Sequence, residues 1–73
     1  MPERVAPVSI VVNGGQRAVR PGETIAGLIR SFELDPERLA VELNRRIVKR
    51  PHWESTVLED GSHVEIVQFV GGG

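Results

Sequence analysis

The residues with the clearest chemical potential are the last three, Gly71, Gly72 and Gly73, reached through the apolar pair Phe69-Val70. A carboxylate borne on consecutive glycines has no Cβ to clash, so it can pass down a narrow channel in another protein. Three extended residues reach roughly 10 Å. Such a carboxylate can be activated as an acyl-adenylate and can then carry a transferred group. The protein would be a macromolecular carrier, not a catalyst. The plainer reading is a loose end, because glycine loses the most entropy when fixed and chain ends are commonly unheld. Chemistry alone leaves both readings open.

No side-chain constellation competes with the tail. Ser9, Ser31, Ser55 and Ser62 have no histidine and carboxylate context that would mark a nucleophile. His63, beside Asp60 and Glu65, reads as a strand-edge residue in water rather than a proton carrier. His52 and His63 are too few and too far apart in sequence to read as a metal site. Cysteine is absent, which excludes disulfides and thiolate clusters. The segment "NGG" at Asn13–Gly15 resembles a phosphate-gripping loop only superficially, since that loop needs a lysine and a following helix. "NRRIVKR" gathers Arg45, Arg46, Lys49 and Arg50 around a turn. It is either a basic patch for RNA or an acidic partner, or a solvated hairpin tip. The second is favoured because no aromatic residues interleave the charges for base stacking. Trp53, the one tryptophan, is expected as a buried or half-buried anchor.

These residues must be positioned by a small number of elements. Val8–Val12, then Asn13-Gly14-Gly15, then Gln16–Arg20 read as a β-hairpin, because Asn-Gly takes the positive φ that tight hairpin turns require. Pro21-Gly22 closes the second strand. In "ETIAGLIRSFEL", Ile25, Leu28, Ile29 and Phe32 recur at helical spacing, with Thr24 or Glu23 as the cap. Gly27 costs that helix about 1 kcal/mol against alanine, so it either weakens the helix or marks close packing. "LDPERL" is read as the helix exit and a single turn. Leu39, Val41 and Leu43 alternate along a third strand, Asn44-Arg45-Arg46 turns, and Ile47-Val48 forms a short partner. Pro51 suits one short helical turn. After Asp60-Gly61, Val64, Ile66 and Gln68 alternate with Glu65, Val67 and Phe69. Apolar residues on both faces of that strand imply a central place in the sheet.

The helix must lay its apolar stripe on one face of the sheet. The expected fold is α+β, a mixed sheet of about four to five strands with one main helix packed on one face. Seventy-three residues make a single domain, 1–73, with a flexible lead over 1–7 and a mobile glycine tail over 71–73. The formal charge of −1 has its signs mixed along the chain, so no basic field for nucleic acid is expected. The first residues, "MPERVAPVSIVV", hold no apolar run suited to a signal peptide or membrane span. A cytoplasmic protein is the simplest expectation. An independent enzyme is the least favoured class, for want of a polar constellation and of room for a pocket of roughly 300–1,000 Å³.

The blocks "VVNGG", "PGETIAGLI", "VELNRRIVKRPHW", "VLEDGSHVEIV" and the final "FVGGG" together resemble the ThiS family of thiamine-biosynthesis sulfur carriers, which have the ubiquitin-like β-grasp fold. The resemblance covers nearly the whole chain from Val8. It departs at Arg45-Arg46, where relatives often have Asn-Gly, and at Gly27, where many have a helix-favouring residue. The resemblance implies that the carboxylate of Gly73 is adenylated by an ATP-dependent, ThiF-like adenylyltransferase and converted to a thiocarboxylate. A ThiG-like thiazole synthase would consume the sulfur, which an outside donor such as a cysteine desulfurase would supply. Gly71 and Gly72 would be the threading stalk. The docking face of such carriers is the sheet surface beside the tail, which points to Val67, Phe69 and Val70, with Arg45–Arg50 nearby. Core burial is the competing account of those apolar positions.

The resemblance further implies no bound cofactor, ATP being used by the activating enzyme, and a monomer when free, with neither nucleic acid nor membrane as a partner. A carrier for molybdopterin or cysteine synthesis is the near alternative. Molybdopterin carriers usually have prolines shortly before the last glycines, and "VQFVGGG" has none. A non-covalent β-grasp binding module with idle glycines is the alternative from a different class. The sulfur donor, the sharing of the activating enzyme with another carrier and the role of Arg45–Arg50 are not legible at this level.

Overall fold

The computed structural model describes residues 6–70; residues 1–5 of the expected lead and the glycines 71–73 lie outside the described residues. β1 (Val8–Val12) and β2 (Gly15–Val19) form the expected hairpin. Asn13 (φ 49°) and Gly14 (φ 85°) both take positive φ, giving a two-residue turn whose twist matches that of the strands. The turn is shorter than the sequence suggested, because Gly15 already pairs with Val12 as the first residue of β2.

α1 (Ile25–Ser31) starts where Thr24 accepts a hydrogen bond from the Gly27 N–H at 3.1 Å. Gly27 marks close packing: a Cβ there would overlap the Glu23 carboxylate, which folds back to accept from the Thr24 N–H at 3.0 Å. Phe32 lies one residue past the helix, as its C-cap, and not within it as the periodicity implied. Glu33 enters the left-handed region (φ 59°), and its N–H bonds the Arg30 carbonyl at 3.1 Å, which turns the chain out of the helix. Phe32 nonetheless packs against the core from that position.

A 3₁₀ turn over Pro36–Arg38, capped by the Asp35 carboxylate on the Glu37 N–H, leads into β3 (Leu39–Leu43). β4 is Arg46–Ile47, displaced by one residue from the Ile47-Val48 expected. The displacement follows from the turn, which uses Asn44 (φ 51°) and Arg45 (φ 72°) and leaves Arg46 to pair with Leu43. A second 3₁₀ turn, Arg50–His52, precedes a connecting segment and β5 (His63–Gln68).

The sheet is mixed and five-stranded, in the order β2-β1-β5-β3-β4. β5 is central, antiparallel to β3 and parallel to β1, with Val11 beside His63 and Val12 beside Val64. The helix covers one face only, and this is the β-grasp arrangement. Ile10, Val41 and Val64 from the sheet meet Ile25, Leu28 and Ile29 from the helix, and Trp53 and Leu58 close the core. The connecting segment is laced to the helix start: Ala26 N–H donates to the Trp53 carbonyl and Ile25 N–H to the Thr56 carbonyl, both at 3.1 Å. Those bonds satisfy first-turn donors that an isolated helix leaves unpaired. No helix among the described residues is long and apolar enough to cross a membrane.

Candidate carrier terminus and docking face

β5 is the mount for the tail, and it is held from both sides. Toward β3 the antiparallel ladder runs from Leu43 beside Val64 to Leu39 beside Gln68. One further rung, from the Phe69 N–H to the Arg38 carbonyl at 2.7 Å, carries it past the end of the strand. Toward β1, the Asn13 N–H donates to the Val64 carbonyl at 2.9 Å. The Asn13 side chain then takes up Ile66: its Oδ1 accepts from the Ile66 N–H at 2.7 Å and its Nδ2 donates to the Ile66 carbonyl at 3.2 Å. The chain is therefore fixed almost to its last described residue, Val70, which is 91% exposed. Gly73, Gly71 and Gly72, the expected attachment point and stalk, lie outside the described residues.

Alternation along β5 separates its two faces. Val64 is buried and Ile66 half-buried against the core, whereas Val67 (54%) and Phe69 (56%) are exposed. Core burial thus accounts for the first pair and leaves the second pair, with Val70, on the surface. On the open face Val67 stands opposite Ala40 and Glu65 opposite Glu42, so that face is apolar toward the tail and acidic away from it.

The basic segment is divided by the register. Arg46 pairs with Leu43, which places Arg45 and Arg46 at the end of the sheet where β5 begins. Lys49 and Arg50 instead line a cleft with Pro36, Glu37 and Leu39, on the side from which the tail leaves. None of the four appears in an ion pair; the two formed among the described residues are Arg30–Glu54 and Arg38–Asp35, both exposed.

Trp53 is a core anchor, 4% exposed, with its indole N–H donating to the Val48 carbonyl at 2.8 Å. His63 is exposed, and its backbone N–H donates to the Asn44 side chain at 2.9 Å. No group of three or more histidine, cysteine or acidic side chains suited to a metal ion occurs among the described residues. The expectation that the chain lacks room for a pocket was too strict. An open cleft of about 520 Å³ lies between the hairpin turn, Phe32, Leu34, Ile66 and Gln68. Arg17, stacked over the Phe32 ring at 4.5 Å, is its one charged lining residue, and no serine, histidine or carboxylate joins it. It offers space without a reactive set.

Two residues escaped the sequence reading. Leu58 is 1% exposed in the core although the apolar pair Val57-Leu58 sits in a polar segment that belongs to no helix and no sheet strand, and Val57 beside it is exposed. Asn13 was legible as a turn residue, but nothing local signals its bond to a strand 53 positions away.

Comparison with known proteins gives a consistent picture. Residues 10–73 match the model of the ThiS family. A sulfur carrier protein ThiS from Bacillus subtilis is 38% identical over 50 residues, covering 68% of this chain and 76% of that one. A thiazole synthase from Magnetococcus marinus is 35% identical over 66 residues, 90% of this chain, but the chain spans only 20% of the length of that protein. Among solved structures, the crystal structure of the thiamine biosynthesis protein ThiS from Geobacter metallireducens superposes with a TM-score of 0.77 at 29% identity, covering 90% of this chain and all of that one.

Proposed function

Because the chain belongs to the ThiS family of sulfur carriers in thiamine biosynthesis, we propose that it carries sulfur as a thiocarboxylate on Gly73 and delivers it to a thiazole synthase. The observation that carries this reading is the mount. A central strand, hydrogen-bonded on both sides, runs to an exposed Val70 and directly into three glycines.

The chemistry needs little from the carrier itself. The Gly73 carboxylate attacks the α-phosphate of ATP in a ThiF-like adenylyltransferase and expels pyrophosphate, leaving an acyl-adenylate. A sulfur nucleophile then displaces AMP. Hydrosulfide gives the thiocarboxylate directly, whereas the persulfide of a donor such as a cysteine desulfurase gives an acyl disulfide, which a thiol reduces to the thiocarboxylate. Gly71 and Gly72 admit the carboxylate to both partner sites because they present no side chain. Val67, Phe69 and Val70 form the docking patch, an assignment supported by their exposure beside the tail. A thiazole synthase as the acceptor is supported by the M. marinus enzyme, one fifth of which is similar to this chain.

Intact-mass measurement tests the reading. After incubation with ATP, the adenylyltransferase and a sulfur donor, the carrier gains the mass of one oxygen-to-sulfur exchange, localised to Gly73. A mass that stays unchanged, or a change elsewhere in the chain, overturns it. The same spectrum reports whether Gly73 is the final residue.

A further inference from the structure

β1 and β5 run parallel, and their last backbone rung joins the Asn13 N–H to the Val64 carbonyl. At Asn13 the chain turns away with φ 49°, so β1 supplies no backbone group for the next rung. Ile66 nevertheless has its N–H and carbonyl on that side, in step with Ser62 and Val64, whose carbonyls accept from the Val11 and Asn13 N–H groups. The Asn13 amide fills the gap, accepting at 2.7 Å and donating at 3.2 Å as a peptide group would. Past Ile66, the strand's described backbone bonds are to β3 and Arg38 alone.

We propose that Asn13 is a positioning residue for sulfur loading: its amide clamps β5 at Ile66 and so sets the course on which Gln68–Val70 carry the glycine tail out of the sheet. The proposal rests on the carrier reading of Gly73 given above. Without the clamp, the end of β5 is held along one edge and can rotate about that edge. From Ile66 to Val70 is roughly 13 Å of extended chain. A swing of about 10° there displaces the start of the tail by roughly 2 Å, and adenylation is sensitive to misplacement on the order of 1 Å.

Asn13→Gly removes the amide and keeps the turn, since glycine takes the positive φ without strain. Asn13→Asp keeps the acceptor for the Ile66 N–H and sets a carboxylate against the Ile66 carbonyl. Both variants are loaded by the adenylyltransferase with the carrier as varied substrate, beside Asp60→Ala. That control removes the bond from the Ser9 N–H to Asp60 Oδ1 (2.8 Å), near the opposite end of β1. In Asn13→Gly and Asn13→Asp, kcat falls about tenfold while KM stays within about twofold, and Asp60→Ala keeps the wild-type kcat. A purely structural role would instead lower the folded fraction, raising the apparent KM and sparing kcat at saturation. Hydrogen exchange on the free carrier adds an independent readout, with the Ile66 amide exchanging faster in Asn13→Gly while the β3-paired Val67 amide holds. The proposal is overturned if the Asn13 variants load like wild type, if only KM moves, if Asp60→Ala loses kcat equally, or if the Ile66 amide is unaffected. A wild-type carrier that is not loaded at all defeats the carrier reading instead, a result distinct from each of these.

Discussion

Glu42 and Glu65 stand directly opposite each other across β3 and β5 on the uncovered face of the sheet. Both are exposed, and like charges in that relation oppose strand pairing. Changing one member to the opposite sign, as in Glu65→Lys, is expected to stabilise the fold by about 0.5–1 kcal/mol. Urea melts at low and high salt check this. The gain should shrink as salt rises, because both side chains lie in water.

Arg45 occupies the second position of the β3–β4 turn at φ 72°, where a side chain is strained. Arg45→Gly is expected to add about 0.5–1 kcal/mol of stability by relieving that strain. In a domain of this size the change appears as a rise in Tm of roughly 4–8 °C per kcal/mol. A lowered Tm would mean that the arginine makes a contact outweighing its backbone cost.

Trp53→Phe tests the anchor between the connecting segment and the sheet edge. Phenylalanine leaves part of the buried volume empty and removes the donor to the Val48 carbonyl. A loss of about 2 kcal/mol is expected, measured by chemical denaturation, with cavity and unpaired carbonyl both contributing.

Phe69→Ala separates docking from folding. The side chain is 56% exposed, so stability should change by less than about 0.5 kcal/mol. Binding to the adenylyltransferase should weaken about tenfold, as for an aromatic anchor in an interface. Titration calorimetry with the two purified proteins measures it. The expected signature is the converse of that for Asn13→Gly: KM rises and kcat holds.

The elements with local signatures were legible in the sequence. Asn13-Gly14 announced the hairpin, the spacing of Ile25, Leu28 and Ile29 announced the helix, and the two-sided apolar pattern of Val64–Phe69 announced a central strand. Boundaries slipped by one residue where left-handed backbone at Arg45 and Glu33 ended elements, because neither residue type advertises positive φ. Long-range pairings left no local trace. The parallel match of β1 to β5 and the bond from Asn13 to Ile66 depend on residues more than fifty positions apart. At the candidate site, alternation along β5 separated Ile66 from Val67 and Phe69 only once the side covered by the helix was known.

The parallel pairing of β1 and β5 also has a mechanical consequence. β1 begins at one end of the sheet and β5 finishes at the other, side by side in its centre. Tension between the amino-terminal side of β1 and the tail therefore shears the rungs at Ser9, Val11 and Asn13 together instead of unzipping them in turn. A partner that pulls on the glycines while the amino-terminal side of β1 is held loads these rungs in parallel.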